Sequence, residues 1–151
     1  LMKLVVDYPT RDEERQIVRR MSGTEPADIS KVLHPDDVER IRTLVSKIHV
    51  DERVEDYVID LVRASRDPKA FGVDAETLVH YGASPRASRA LAQAARAHAF
   101  LRGRGFVTPE DVKAVGYDVL RHRIIPSFEA EAEEIGADEI VRRIFDSIEV
   151  P

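Results

Sequence analysis

The feature that most constrains this chain is a helix whose start is written into its own residues, Gly82-Ala83-Ser84-Pro85-Arg86-Ala87-Ser88-Arg89. Ser84 is a good N-cap, because its hydroxyl can accept an orphan N–H of the first turn. Pro85 then falls at the first helical position, where its missing N–H costs nothing. Gly82 gives a free turn just before. Arg86 is thereby held at the second helical position. From Pro85 to about Gly103 the pattern is helical. At about 100° per residue, Ala87, Ala90, Leu91, Ala94, His98 and Leu101 share one face, and Arg86, Arg89, Gln93 and Arg96 share another. One side packs closely through alanine, and the other presents cations.

A guanidinium on a rigid helix start can grip a phosphate through forked hydrogen bonds. From spacing alone, arginines opposite a core are more often a solvated surface, and the motif is a hypothesis.

Other helices have equally legible ends. Thr10-Arg11-Asp12-Glu13 is a capping box, and the helix it starts runs through Ile17, Val18 and Met21 to Ser22-Gly23. Thr24 to His34 is a polar connector. A second helix follows His34-Pro35, with Asp36 and Asp37 in its first turn and Val38, Ile41, Val45 and Ile48 at helical spacing. A third runs from about Glu52 to Ser65, with Val54, Tyr57, Val58, Leu61 and Val62 inward. The very short joint at Val50-Asp51 predicts an antiparallel hairpin of these two. Thr108-Pro109 repeats the cap-plus-proline device, with Asp111 as the acid three residues on. That helix is expected to bend near Gly116, with a separate short helix from Tyr117 to His122. The last helix spans about Ala137 to Ser147. Met2 to Val6 reads as a short strand closed by Pro9, and Leu78-Val79 and Ile124-Ile125-Pro126 as short extended pieces. The fold class is therefore all-α, a small helical bundle preceded by a short β-strand.

Composition narrows the function classes. A length of 151 residues suits one domain able to bury its own core. With no cysteine there is no disulfide, thiol nucleophile or Cys-based zinc site. The five histidines, His34, His49, His80, His98 and His122, form no His-x-x-x-His pair. His98 reads as a core histidine. His122, between Arg121 and Arg123 near a helix end, can complement the dipole. Glu129, Glu131, Glu133 and Glu134 lack the ordered ligand array of a calcium loop and read as a solvated stretch. The formal net charge of −5 argues against general binding to nucleic acid or membrane. No apolar run approaches membrane-spanning length, and the absence of cysteine fits a cytoplasmic protein. None of the seven glycines stands in a GxxxxGK[ST] phosphate loop, so the chain alone is expected not to hydrolyse ATP and not to be an enzyme.

Four stretches in order resemble the MoxR family of AAA+ ATPases: Val5-Val6-Asp7-Tyr8-Pro9, Gly82-Ala83-Ser84-Pro85-Arg86-Ala87, Thr108-Pro109-Glu110-Asp111-Val112 and Leu120-Arg121-His122-Arg123-Ile124. The similarity covers essentially the whole chain and matches only the C-terminal lid and the strand leading into it. The resemblance implies that residues 1–9 are the end of a nucleotide-binding core and that residues 10–151 are a helical lid. The opening Leu1-Met2 suits an excised segment. Arg86 matches the sensor 2 arginine, which reaches the nucleotide phosphates across the core–lid cleft, and Ser84 and Pro85 position its helix. ATP and magnesium are then cofactors of the full-length protein, with none expected to bind tightly to this segment alone. The resemblance also implies partners: the chain's own core, neighbouring subunits of a ring (typically a hexamer), and clients matured in a chaperone-like way, often with von Willebrand factor A-type domains. Two other readings compete. One is a nucleic-acid-binding helical module using Arg89, Arg96, Arg102 and Arg104. The other is a free-standing protein-interaction adaptor. The same basic zone also suits a subunit contact in which arginines meet acids of the next copy.

Overall fold

The computed structural model describes residues 1–21 and 30–151. Among them are seven helices: α1 (Arg11–Met21), α2 (Pro35–Ser46), α3 (Glu52–Ala64), α4 (Pro85–Leu101), α5 (Pro109–Leu120), α6 (Phe128–Ala132) and α7 (Ala137–Ser147). A 3₁₀ turn covers Lys69–Phe71, and a two-stranded antiparallel ribbon joins β1 (Val79–Tyr81) to β2 (Ile125–Pro126). The expected all-α bundle is what forms. Ser22-Gly23 and most of the Thr24–His34 connector lie outside the described residues.

The α4 helix is the axis of the bundle. Its alanines 87, 90, 94, 95 and 99 are buried with Leu91, and they let α5, α3 and α2 pack against it. Small side chains on one face permit close approach of neighbouring backbones, and dense packing then depends on the larger residues opposite. Those are Leu61 and Val62 of α3, Val112, Val119 and Leu120 of α5, and Ile140, Val141 and Ile144 of α7, all fully buried. Leu101, expected on this packing face, is 79% exposed, because α4 ends there in a reversal. Gly103 adopts the left-handed conformation (φ 72°) and donates to Phe100 O, while Arg104 N–H reaches Ala99 O at 3.0 Å. That pair of bonds is a Schellman closure.

Three expectations change. The α2 and α3 helices do not fold back as a hairpin; α2 packs on α4 instead. The joint between them is held by another loop, with His49 N–H bonded to Gly105 O (3.0 Å) and Val107 N–H to His49 O (2.9 Å). The α5 helix does not break at Gly116 but runs on to Leu120, taking in the residues expected to start a separate short helix. Gly116 is there for space: a Cβ would lie 2.2 Å from Phe145 Cζ of α7. At the N-terminus, residues 1–10 carry no regular structure, and Leu4, Val5 and Val6 are exposed. A strand needs a partner ladder, and among the described residues none lies alongside. Lys3 N–H instead bonds Asp118 O at 2.7 Å. The α1 helix has its Thr10–Glu13 capping box but buries none of its residues.

Candidate functional site at the start of α4

The geometry at the N-terminus of α4 is built by residues from three elements. Ser84 is the N-cap, with extended backbone (φ −74°, ψ 166°), and Pro85 is the first helical residue. The Ser84 hydroxyl makes no capping bond; its carbonyl accepts the Ala87 N–H instead, at 2.8 Å. With proline removing one donor and the Ser84 carbonyl taking another, the hydroxyl is left to solvent.

What holds the start in place is α3. Ser65, fully buried just past α3, accepts the Ala83 N–H at 2.9 Å through its hydroxyl, which in turn donates to Val62 O at 2.7 Å. Gly82 lies against the same residue. A Cβ there would meet Ser65 O at 2.2 Å and Arg66 Cα at 2.7 Å, and neither backbone atom can yield. Gly82 thus serves close approach more than a free turn.

The ribbon braces the segment from the other side. Tyr81 pairs with Ile125 and Val79 with Pro126. Ser127 donates to Thr77 O (2.6 Å) and accepts the Ala130 N–H (3.1 Å), and its own N–H reaches Leu78 O (2.9 Å). Ser65 and Ser127 went unread in the sequence. Ser127 carried a signal, a serine opening a short acidic helix; Ser65 carried none, because its role depends on a residue 18 positions away.

Arg86 stands in the first turn, exposed, with no hydrogen bond or ion pair to any described residue. The first turn of α4 contains no acidic residue. An exposed, unpaired cation beside the positive end of a 17-residue helix is an arrangement that suits an anionic group.

The other expected cations divide, with Arg89 and Arg96 lining one groove and Arg104 another. Arg104 is not free: its guanidinium forks onto Asp111, with Nη1–Oδ2 at 2.6 Å and Nη2–Oδ1 at 2.5 Å. Asp111 is fully buried and also accepts from Thr108 N–H (2.8 Å) and faces His98 Nδ1 (2.6 Å). Burial alone would raise its pKa, but the hydrogen bonds from Arg104, Thr108 and His98 override burial and hold it well below the ordinary carboxylate range. An ionised carboxylate only accepts, so His98 Nδ1 carries the proton. His98 is therefore a half-buried structural residue, as its place on the apolar face suggested. Arg102 is the C-cap of α4. At the end of α5 the carbonyls are met by arginines, Arg121 Nε to Tyr117 O (3.1 Å) and Arg123 to Val119 O. His122 has its pKa lowered by desolvation and by Arg123, against the hydrogen bond it makes to the Asp118 backbone, so the imidazole meets the end of α5 beside the two arginines. Among the described residues no cluster of His, Cys, Asp or Glu could hold a metal ion, and no helix is long and apolar enough to cross a membrane.

Comparison with known proteins agrees with this architecture. Residues 73–144, from the ribbon through α7, match the family described as the AAA lid domain. The whole chain is 38% identical to the protein named Chaperone MoxR1 of Mycobacterium tuberculosis, covering 40% of it. Over 76% of its length it is 35% identical to Protein MoxR of Methylorubrum extorquens, covering 36% of that protein. A crystal structure of a protein from Cytophaga hutchinsonii, assigned as an ATPase, superposes with a TM-score of 0.93 at 38% identity, over 99% of this chain and 46% of that one. The chain spans less than half the length of each of these proteins. Residues 73–144 match the AAA lid domain, and the chain that carries them is similar along its length to MoxR proteins.

Proposed function

We propose that this chain is the sensor 2 lid of a MoxR-type AAA+ ATPase, closing over ATP bound to a nucleotide-binding core. The single observation that carries the reading is Arg86: exposed, unpaired and fixed on a helix start that Ser65 and Gly82 pin to α3. The family match supports the lid, and the absence of an acid from the first turn of α4 suits a phosphate there. Bound with magnesium, ATP would supply the terminal phosphate whose charge differs between nucleotide states.

This chain's part is to offer Arg86 toward that phosphate and to keep it at a fixed angle to the bundle. Ser84 and Pro85 set the angle, α3 fixes the position, and α4 carries any displacement into α5 and α7. A lid moves between states only if its contacts differ between them, and a phosphate-reading arginine supplies a difference. On this reading residues 1–9 end the core and residues 10–151 form the lid. The resemblance to MoxR proteins supports a hexameric ring, a cytoplasmic setting and chaperone-like maturation of clients with von Willebrand factor A-type domains.

The test is ATP turnover by the protein in which this chain follows its nucleotide-binding core. Arg86→Ala should lower turnover by about 10-fold or more, the loss expected when a charge-assisted contact of ~1.5–3 kcal/mol disappears. Unchanged turnover by a folded variant contradicts the assignment.

A further inference from the structure

Where the end of α2 meets the turn after α4, the surface opens into a cleft of about 390 Å³. Leu44, Ile48 and Phe100 give it apolar walls, Lys47 and Arg104 add positive charge, and Gly103 and Gly105 leave bare backbone. The cleft is held in shape from below. The His49 N–H bonds Gly105 O and the Val107 N–H bonds His49 O, so the two loops that frame it are tied to each other.

Apolar surface is left open here. Leu44 is 50% exposed, and Phe106, which follows Gly105, is 54% exposed. Among the described residues no carboxylate lines the cleft. Its two cations differ. Arg104 is answered from behind by Asp111. Lys47 is exposed, and its ammonium has no hydrogen bond or ion pair with any described residue. The guanidinium of Arg102, just before Gly103, is exposed and unpaired in the same way. Nor does the fold demand a glycine at position 105. Gly105 has no left-handed φ, and a Cβ there would meet nothing within 4 Å. A side chain would fit at that position, and its absence keeps the cleft open. An apolar cleft with unanswered cations at its edge suits an apolar side chain that has a carboxylate beside it.

We propose that this cleft binds an acidic segment of a partner protein, which seats an apolar side chain between Leu44 and Phe100 and brings a carboxylate to Lys47. Charge selects the occupant: a basic segment would meet Lys47 and Arg102 with like charge, which is costly at a contact. Arg86 lies toward the other end of α4, about 20 Å from Phe100 along the helix axis. The cleft contains no part of the proposed nucleotide contact, so the two readings stand or fall separately.

The test is selection of binders from a displayed library of random peptides, made on the protein in which this chain follows its nucleotide-binding core. Binding of the selected peptides is then measured by fluorescence anisotropy. The enriched peptides should pair a large apolar residue with a nearby Asp or Glu, and their binding should weaken as salt screens the charges. Leu44→Asp and Gly105→Leu, the second filling the cleft, should each weaken binding by at least about tenfold, as loss of an interface anchor does. Thermal unfolding should not fall in either variant. Lys47→Glu should shift the selection from acidic to basic peptides, a reversal that a merely structural lysine would not produce. Arg86→Ala should bind the peptides as the wild type does. Failure to enrich acidic peptides overturns the proposal. So does binding that survives both Leu44→Asp and Gly105→Leu, which places the peptides elsewhere on the chain. Self-association that is lost in Leu44→Asp overturns it as well, because a second copy is then the occupant.

Discussion

At the scale of single residues, Asp111 organises more of this molecule than any cation does. Its position three residues after Thr108 was legible as a capping acid, and it does bond the Thr108 N–H. Its grip on Arg104 and His98 was not legible, because His98 lies 13 positions away and reaches it only through the packing of α4 on α5. Asp111→Asn should destabilise the chain by about 2–4 kcal/mol near pH 7, since it strips a part-buried guanidinium of its charged partner. Urea unfolding measures this. The pH dependence has a definite sign. A carboxyl whose folded pKa lies below its unfolded value contributes stability above the unfolded pKa, about 4, and loses it as pH falls toward the folded value. The wild-type advantage over Asp111→Asn should therefore shrink steadily below about pH 4. A gap that stays constant down to pH 2 contradicts the role given to Asp111. Glu139 shifts the same way, its pKa drawn down to about 2 by Arg142 and Arg143.

At the scale of elements, the helices were the readable part. The α3, α4 and α7 boundaries and most of their buried faces follow from caps, prolines and 3.6-residue spacing, which act within a few positions of sequence. Two features misled for one reason. Gly116 suggested a break in α5, and the short Val50-Asp51 joint suggested a hairpin. Both are decided by partners distant in sequence, Phe145 for the glycine and Gly105–Val107 for the joint. The start of α4 divides in the same way, its cap visible in the sequence and its anchor on Ser65 hidden. Ser65→Ala tests that anchor. It leaves the buried Ala83 N–H without its acceptor and should cost about 1–3 kcal/mol. Hydrogen exchange at Ala83 should accelerate by more than at Leu120, which does not depend on the hydroxyl. Equal acceleration at both sites would mean global loosening and would remove Ser65 as the anchor of α4.

At the scale of the whole molecule, the buried core runs from Ile48 to Phe145, with α1 and α2 burying none of their residues. Such a body can transmit a displacement at one end of α4 to α5 and α7 as a unit, since close-packed interiors shift in discrete steps and do not deform gradually. On the proposed reading, Arg86 distinguishes nucleotide states. Its most direct test is the ratio of ADP to ATP dissociation constants, measured by equilibrium binding in the protein that contains this lid and its nucleotide-binding core. Wild type should favour ATP, and Arg86→Ala should move that ratio toward one by about 5–100-fold, the range of a typical coupling free energy. A ratio that is the same in wild type and variant, with both folded, would contradict the sensor role and leave the lid without a phosphate-reading residue.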